Sequence, residues 1–300
     1  LTPADVAEAQ RHPELRLVTL SAFDYTYVAF NFREADNRDQ PHALFTEAPL
    51  RRAIAMAVDR QAIARALFDT LALPLYGPFV RAQITADTTI EQIPFNRVAA
   101  ARLLDSLGWR MGPDRVRRRG GERLAFRALV PTPNRLRERA ATLMQEQLRQ
   151  VGIAMQLDRA DPRRFEQQRL SGDFDVIFGL RSTAPSPRDL RAHWGTHGEN
   201  GWGTLNDGRY SSAAFDRALE SGLTARDPAA AKRYLRSAYT IIVNDAAALF
   251  LYEPRTLAAV HKRFRVPTWR NDGWWRSLPE WTVEPAERLP RDARPAPAPR

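Results

Sequence analysis

The sequence of 300 residues contains no cysteine, and Lys232 and Lys262 are its only lysines. The lack of cysteine excludes disulfide bonds, thiolate metal ligands and a cysteine nucleophile. No apolar run reaches the roughly 18 residues that a membrane-spanning helix requires. The glycine patterns of phosphate-binding loops and the GxSxG motif of many serine hydrolases are also absent from the sequence. These absences remove several large classes of enzyme from consideration.

A formal net charge of +10 at pH 7 is carried almost entirely by arginine on the basic side. Such a charge is typical of nucleic-acid-binding proteins. The arginines are nevertheless dispersed among acidic residues, which favours the codon bias of a GC-rich genome over a nucleic-acid surface. The one dense run, residues 115–123, lies between a Pro-Asp pair and a predicted strand, so it is predicted to form a hairpin turn. We therefore expect no nucleic-acid partner.

Hydrophobic patterning predicts strands that alternate with helices. Two extended segments are predicted within residues 15–32 and two consecutive helices within 49–68, whereas residues 70–96 are proline-rich and irregular. Asp59 interrupts the apolar stripe of the helical region. We interpret it as the N-cap of the second helix and give less weight to a catalytic role.

A strand at residues 123–131, a helix at 134–152 and a strand at 153–160 predict a βαβ unit with a parallel, right-handed crossover. The segment "FDVIFGL", residues 174–180, is a nearly continuous apolar run, which is typical of a central strand buried on both faces. Further on, the patterning predicts loops over residues 181–212, then two helices, and then separate strands on either side of Arg255. The tail from Pro285 is rich in proline, alanine and arginine and is predicted to be disordered.

Candidates for metal binding and catalysis are weak. His193, His197 and Glu199 have the spacing of a possible metal site, but neighbouring glycines favour a loop and no HExxH motif is present, so no metal is expected. Asp173 is interpreted as a turn residue before the strand that contains Asp175. The remaining histidines (His12, His42 and His261) are predicted to be isolated surface residues. We find no catalytic constellation and expect no enzyme activity and no cofactor.

Aromatic residues cluster in two places. Trp194, Trp202 and Tyr210 lie in a segment rich in glycine and asparagine, where they could line a small-molecule pocket or belong to the core. Both interpretations stay open. A second group near the end of the chain is interpreted as covering the edges of the core, and it comprises Trp269, Trp274, Trp275 and Trp281.

Several segments, taken in order, resemble one family. They are "YTYVAFNF", "APLRRAIAMAVDRQAIARALF", "ARLLDSLGW", "LRERAATLMQEQLRQVGIAMQL", "RRFEQQRLSGDFDVIFGL", "NDGRYSSAAFDRALESGL" and "YTIIVNDAAALFLYEP". Their order and spacing, over roughly residues 20–283, resemble the extracellular solute-binding proteins of family 5, which serve peptide and nickel ABC transporters.

The resemblance implies an α/β protein of the periplasmic-binding-protein-like class, with two lobes that close around a hinge. It also implies that the second lobe is mostly complete while the first is largely missing, because family members begin with a long N-terminal portion. The expected divisions are residues 1–24 (end of the first lobe and a crossing strand), 25–250 (second, ligand-binding lobe), 251–284 (return to the first lobe) and 285–300 (disordered tail).

In function, the resemblance implies the extracytoplasmic component of an ABC importer, which captures a peptide-like or other small solute and delivers it to the permease. The expected location is the periplasm or the outer face of the cell envelope, and the expected state is a monomer. Contact with the membrane is expected only through the transporter or an upstream lipid anchor. A hydrolase or a signalling subunit on the same scaffold is the alternative.

In peptide-binding relatives, the loop after the "FDVIFGL"-like strand carries a tryptophan and acidic residues, one of which holds the ammonium group of the peptide. Here Leu180 stands for the tryptophan and Thr183 for the first acid, while Asp189 lies one place beyond the motif. Arginines 181, 188 and 191 suggest an anionic ligand; alternatively, they face solvent or the missing lobe. The expected ligand-binding residues are Asn31, Arg181, Ser182, Thr183, Ser186, Arg188, Trp194, Trp202, Asn206 and Tyr210.

Overall fold

The computed structural model describes residues 3–35, 37–197 and 203–290. The helices in this part of the chain are α1 (Pro3–Ala9), α2 (Ala48–Ala57), α3 (Arg60–Phe68), α4 (Arg97–Ser106), α5 (Arg135–Arg149), α6 (Pro162–Ser171), α7 (Leu190–Trp194), α8 (Ala213–Thr224) and α9 (Pro228–Asn244). The strands are β1 (Leu15–Ser21), β2 (Asp24–Phe30), β3 (Ala72–Pro74), β4 (Arg110–Met111), β5 (Arg117–Arg119), β6 (Glu122–Arg123), β7 (Ala125–Pro131), β8 (Ala154–Ala160), β9 (Val176–Ser182), β10 (Ala248–His261), β11 (Phe264–Arg265) and β12 (Thr282–Val283). Across these described residues, the helices are too short or too polar to span a membrane.

A mixed sheet with the strand order β1–β10–β2–β9–β7–β8 forms the centre of the molecule. The short strand β3 also pairs with β10 but is not part of this order. Strand β7 is parallel to both β8 and β9, whereas β1, β2 and β10 pair in antiparallel fashion. The predicted βαβ unit is confirmed, with Ala125 opposite Ala154 at the start of the parallel pair. Strand β9 lies between β2 and β7, as its apolar run indicates.

Both faces of the sheet are covered by hydrophobic cores. Because successive side chains of a strand point to opposite faces, Tyr25 and Tyr27 of β2 pack into one core, and Val28 and Phe30 pack into the other. Helices α2, α3, α4 and α5 cover the face of Val28. Helices α7, α8 and α9, with residues 75–90, cover the face of Tyr27. The result is a three-layer α/β/α arrangement, which leaves the ends of the strands as places for a site.

The predicted helix start at Asp59 is confirmed. Its side chain accepts a hydrogen bond of 2.9 Å from Ala62 N, so it caps α3. The predicted hairpin in the arginine-rich run is also confirmed, because β5 and β6 flank Gly120 and Gly121, whose φ angles of 58° and 90° suit glycine.

Three sequence expectations differ from the structure. The two separate strands expected around Arg255 form the single strand β10. Pro254 lies beyond Tyr252, the last residue paired with β2, and pairs in register with Ala72 of the short strand β3. The expected loop over residues 181–212 contains a 3₁₀ turn at Pro187–Asp189 and helix α7. The tail expected to be disordered includes a 3₁₀ turn at Pro285–Glu287, while residues 291–300 lie outside the described part.

The expected lobe boundaries stay predictions. The boundary between residues 24 and 25 lies inside β2, and the boundary between residues 250 and 251 lies inside β10. Both strands continue across these boundaries, and the register between β2 and β10 shifts between Phe250 and Tyr252, at the second boundary. A hinge at these positions would therefore have to bend paired strands.

Candidate functional site

A cleft of about 500 Å³ lies at the edge of the sheet where β2 begins and β9 ends. Its walls come from the turn between β1 and β2, the segment after β9, β10 and residues 270–276. The lining residues are Leu20, Ala22, Phe23, Asp24, Thr183, Pro185, Thr256, Arg270, Asn271, Asp272, Gly273, Trp275 and Arg276. Of the residues expected from the sequence to bind ligand, Thr183 lies in this cleft.

Hydrogen bonds to the backbone fix the segment that follows β9. Thr183 donates from both its backbone N and its hydroxyl to Phe23 O, at 2.7 and 2.9 Å. Gln83, which is buried, donates from Nε2 to Ala184 O at 2.8 Å. The segment after β9 is therefore held against the β1–β2 turn and against the irregular segment after β3.

Two carboxylates of the cleft differ in their surroundings. Asp272 accepts two hydrogen bonds from Arg270, at 2.9 and 2.8 Å, and these hold the pKa of its carboxyl below the usual value. Asp24 pairs in register with Ser182 at the start of β2, and its side chain has no ion pair among the described residues. Asp24 is thus the carboxylate of the cleft that is available to a cation. The exposed ring of Trp275, at 58% exposure, offers an apolar surface beside it.

Arg181 lies outside the cleft, in a buried group that we call the Asp207 cluster (Tyr27, Arg169, Arg181 and Asp207). Asp207 accepts from Arg181 Nη2 at 2.5 Å, from Arg169 Nη1 at 2.6 Å and from Tyr27 OH at 3.1 Å. Burial acts to lower the pKa of Arg181, but Tyr27 and Asp207 outweigh it and raise the pKa above its ordinary value. The charge of Arg181 is therefore compensated within the chain, an arrangement that neither sequence interpretation included.

The other arginines and serines of the predicted loop have different surroundings. Arg191 forms an ion pair with Glu220 of α8. Ser182, Ser186 and Arg188 are exposed. These three residues stay predicted ligand contacts, because exposure alone does not decide between ligand and solvent.

Trp194 belongs to the core. It is 3% exposed, donates from Nε1 to Tyr25 OH at 3.0 Å, and packs edge-on against Tyr27 and Phe250 with ring centroids 5.4 and 5.3 Å away. Of the two interpretations that the sequence left open, the structure agrees with the core. Trp202 falls outside the described residues.

Asn31, Asn206 and Tyr210 are buried residues that tie loops together. Asn31 donates from Nδ2 to Gly172 O and Phe174 O at 3.1 and 2.8 Å. Asn206 donates to Tyr210 O at 2.8 Å, and Tyr210 OH donates to Asp245 Oδ2 at 2.6 Å. As their hydrogen-bonding groups are engaged inside the chain, any ligand role for them would be through loop position.

Two expectations about single residues are wrong. His42, expected at the surface, is 4% exposed; its Nε2 lies 3.2 Å from Asp175 Oδ1, and its Nδ1 accepts from two backbone N–H groups. The polar loop that carries it folds back over the end of the sheet. Trp275, expected to cover a core edge, is exposed, whereas Trp269 and Trp281 pack against each other.

Burial lowers the pKa of His193 to about 4, with a smaller effect of Arg181 in the same direction. Glu199, the third member of the possible metal site, falls outside the described residues. Among residues 3–35, 37–197 and 203–290, histidine and acidic side chains form no group of three that could hold a metal ion.

A mixed sheet covered by helices on both faces, with a cleft at one edge, is the architecture of the periplasmic-binding-protein-like class. A family model described as bacterial extracellular solute-binding proteins, family 5 Middle, matches residues 1–203. This match spans more than half of the chain, so the chain belongs to that family, as the ordered segments of its sequence indicate.

Curated relatives are longer than this chain. Protein XP55 of Streptomyces lividans is 28% identical over 203 residues, which cover 67% of this chain and 36% of that protein. The oligopeptide-binding protein AppA of Bacillus subtilis is 24% identical over 263 residues, which cover 85% of this chain and 46% of AppA. The chain thus spans less than half the length of these relatives.

Solved structures show the same fold. The structure of B. subtilis AppA in complex with a nonapeptide matches with a TM-score of 0.76 at 21% identity, over 95% of this chain and 55% of that one. Campylobacter jejuni NikZ in complex with Ni(L-His) matches with a TM-score of 0.75 at 16% identity, over 94% of this chain and 56% of that one.

Sequence reasoning missed Asp24 and residues 270–276 as walls of the cleft. They are far apart in the chain, and a hydrogen bond of 3.2 Å from Ser21 N to Asn271 Oδ1 holds the two segments together. One local signal was available: Asp24 is the only charged residue between Arg16 and Arg33 in two otherwise apolar and aromatic strands.

Proposed function

We propose that this chain provides a ligand-binding lobe of an extracytoplasmic solute-binding component of an ABC importer, which captures a peptide-like or other small solute without catalysis. The proposal rests on the cleft lined by Asp24, Thr183 and Trp275, because membership of the family does not say where on this chain a ligand binds. Its volume of about 500 Å³ lies within the range of small-molecule sites.

Asp24 suggests the chemistry of the ligand. A partly buried carboxylate without a cationic partner among the described residues favours a ligand with an ammonium group, because such a pair forms a charge-assisted hydrogen bond. Thr183 stands where peptide-binding relatives carry an acid, and it lies in the same cleft. We propose that Asp24 supplies the negative charge that the loop lacks. A peptide or an amino-acid complex meets this requirement.

Delivery to a permease follows from closure of a second lobe over the cleft. A ligand that contacts both lobes stabilises the closed state and shifts the population towards it. The permease subunits are the proposed partners, and the extracytoplasmic side of the membrane is the proposed location. These statements concern the whole protein, of which the chain matches only a part in its relatives.

Native mass spectrometry of the protein purified from its own host tests the proposal. We expect a bound small molecule that is released with its chemistry unchanged after denaturation. Conversion of that molecule during incubation would instead support a hydrolase. Retention of a signalling protein in place of permease subunits in a pull-down would support the signalling alternative.

The role of Asp24 has a separate test. Asp24→Asn should weaken binding of a peptide with a free ammonium group by roughly tenfold, which is about 1.4 kcal/mol. Binding of the N-acetylated peptide should be unaffected. Glu91→Gln, which removes an exposed carboxylate outside the cleft, serves as the control and should leave both affinities unchanged. Equal loss for both peptides would argue against Asp24 as an ammonium partner.

A further inference from the structure

A second cavity, also of about 500 Å³, lies at the other end of β2. Strand β2 begins at Asp24 in the cleft and ends at Phe30, three residues before Arg33 of the second cavity. With a rise of about 3.3 Å per residue in a strand, Asp24 and Phe30 lie about 20 Å apart. The cavity, which we call the arginine pocket, is lined by Arg33, Arg38, Asp39, Thr196, His197, Arg209 and Ser211.

Positive charge in the arginine pocket is only partly compensated. Three arginines line the pocket together with one carboxylate residue, Asp39, which is exposed. Arg33 donates to Asp39 O at 3.4 Å, but the side chains of Arg38 and Arg209 form no hydrogen bond or ion pair within residues 3–35, 37–197 and 203–290. Burial, followed by repulsion from Arg209, lowers the pKa of Arg38. The two guanidinium cations of Arg38 and Arg209 repel each other, and this arrangement is unfavourable unless an anion binds between them.

The backbone of Arg209 and the surroundings of Arg38 restrict both residues. Arg209 has φ = 57°, a left-handed conformation that costs a residue other than glycine roughly 1–2 kcal/mol. Hydrogen bonds from Arg209 N to Asn206 O and from Tyr210 N to Asn206 Oδ1 maintain it. The guanidinium of Arg38 lies against Gly172, where any Cβ would overlap it. Strained backbone of this kind is common at functional positions.

Hydroxyl groups complete the pocket. Thr196 Oγ1 lies 3.2 Å from Ser211 Oγ and accepts from Ser212 N at 3.3 Å, while Thr196 N donates to Asp216 Oδ1 at 3.1 Å. Guanidinium groups donate paired hydrogen bonds to phosphate oxygens, and hydroxyl groups can donate a further one. Two guanidinium groups that each donate a pair of hydrogen bonds, with a hydroxyl group, offer more donors than the roughly four that a carboxylate accepts, but they suit the three terminal oxygens of a phosphate monoester.

We propose that the arginine pocket binds the phosphate group of a phosphomonoester, at a site separate from the ligand cleft. The phosphate belongs either to a small soluble molecule or to a lipid headgroup, and both present the same group to Arg38 and Arg209. The cavity is larger than a phosphate ion, so it leaves room for part of the attached molecule. This site does not depend on which solute occupies the cleft.

Titration of the full chain with inorganic phosphate, followed by isothermal calorimetry at low ionic strength, tests the site. We expect saturable binding that Arg38→Gln combined with Arg209→Gln weakens at least tenfold. The matched control combines Arg102→Gln and Arg233→Gln, which remove the same charge from exposed positions of α4 and α9. Arg38→Lys, which keeps the charge but loses the planar fork, should give an intermediate affinity.

Equal weakening in both double variants, or no saturable binding to the parent chain, would overturn the proposal, because only diffuse attraction would remain. Circular dichroism and thermal unfolding verify that each variant is folded. Glycerol 3-phosphate and phosphatidylcholine vesicles containing phosphatidic acid then distinguish the sources. Stronger binding of glycerol 3-phosphate than of phosphate supports a soluble ligand, and recruitment to the phosphatidic acid vesicles alone supports a lipid headgroup.

Discussion

The Asp207 cluster and the arginine pocket contain the same kind of side chain in opposite electrostatic situations. In the cluster, Arg169 and Arg181 donate to one carboxylate whose side chain is 3% exposed. In the pocket, Arg38 and Arg209 have no partner within the described residues, and the carboxylate of Asp39 is exposed. The comparison shows that compensation by the surrounding structure, rather than the presence of arginine, separates a structural charge from one that is available to a ligand.

The surroundings of Arg51 show that an arginine does not need a carboxylate to satisfy its hydrogen bonds. Arg51 is buried and donates to the backbone oxygens of Phe45, Asp245 and Ala246. Burial lowers its pKa to about 10, with opposing effects from Asp245 and Tyr210. Carbonyl groups therefore satisfy its hydrogen bonds while its charge remains unfavourably placed. The arginine pocket differs from both cases, since within the described residues Arg38 and Arg209 lack carbonyl partners as well as carboxylates.

The largest effect is expected for Asp207→Asn. Loss of the carboxylate leaves the buried guanidinium of Arg181 and that of Arg169 without their shared counterion. Breaking a buried ion pair by removing one partner costs about 3–5 kcal/mol. Urea unfolding should show a decrease in the free energy of unfolding of this order.

Glu146→Gln is the matched control for Asp207→Asn, because it removes a carboxylate that accepts two hydrogen bonds from Arg149 on the surface of α5. Exposed pairs contribute roughly 0.2–1 kcal/mol. A similar loss of stability in the two variants would show that burial does not distinguish the Asp207 cluster.

A second effect concerns pH and His193, which lies beside Arg181. The pKa of His193 is about 4 in the folded chain against 6.5 as its ordinary value. At a pH between these two values, His193 binds a proton more tightly in the unfolded chain than in the folded chain. The contribution of neutral His193 to the free energy of unfolding is therefore fully present above about pH 6.5 and decreases as the pH falls towards 4. The total loss is about 3 kcal/mol, since one pKa unit corresponds to about 1.4 kcal/mol.

Urea unfolding of the parent chain and of His193→Gln at pH 7 and pH 4.5 measures this contribution. The variant should lose less stability over this interval than the parent. The subtraction is needed because Asp189, which also faces this region, has a pKa raised by burial and acts in the opposite direction. Parallel loss in both proteins would exclude His193 as the source.

Much of the fold could be predicted from the sequence, whereas most of the site could not. The apolar run of β9, the βαβ unit and the cap at Asp59 depend on neighbouring residues, so local patterns indicate them. The pairing of Arg181 with Asp207 depends on how the segment after α7 folds back, and 35 acidic residues could have served as partner. Thr183 was found through the family resemblance, while Asp24 required the sheet to bring distant segments together.

A smaller effect is expected for Tyr27→Phe, which removes one of the hydrogen bonds to Asp207 and leaves both arginines. The hydroxyl donates at 3.1 Å from a residue that is 1% exposed. A hydrogen bond to a charged group contributes about 1.5–3 kcal/mol, and the retained arginines should reduce this to about 1 kcal/mol. Thermal unfolding measures it. A loss as large as that of Asp207→Asn would show that Tyr27 matters mainly through packing.

The smallest effect has the opposite sign. Arg209→Asn should stabilise the chain by about 0.5–1 kcal/mol, because asparagine tolerates the left-handed backbone and the repulsion from Arg38 disappears. Arg115→Asn provides the matched control: Arg115 has φ = 58° in the exposed turn between β4 and β5, and it is not among the residues of the arginine pocket. Stabilisation of Arg209→Asn beyond that of Arg115→Asn therefore measures the repulsion alone.

This difference between Arg209→Asn and Arg115→Asn should shrink as salt is added, because salt screens repulsion but does not change backbone preference. In phosphate buffer the sign should reverse for Arg209→Asn only, since the parent chain gains stability from an anion that binds its folded state. Equal stabilisation of both variants at every salt concentration would mean that Arg38 and Arg209 do not repel each other measurably. The arginine pocket would then lose the uncompensated charge that sets it apart from the Asp207 cluster.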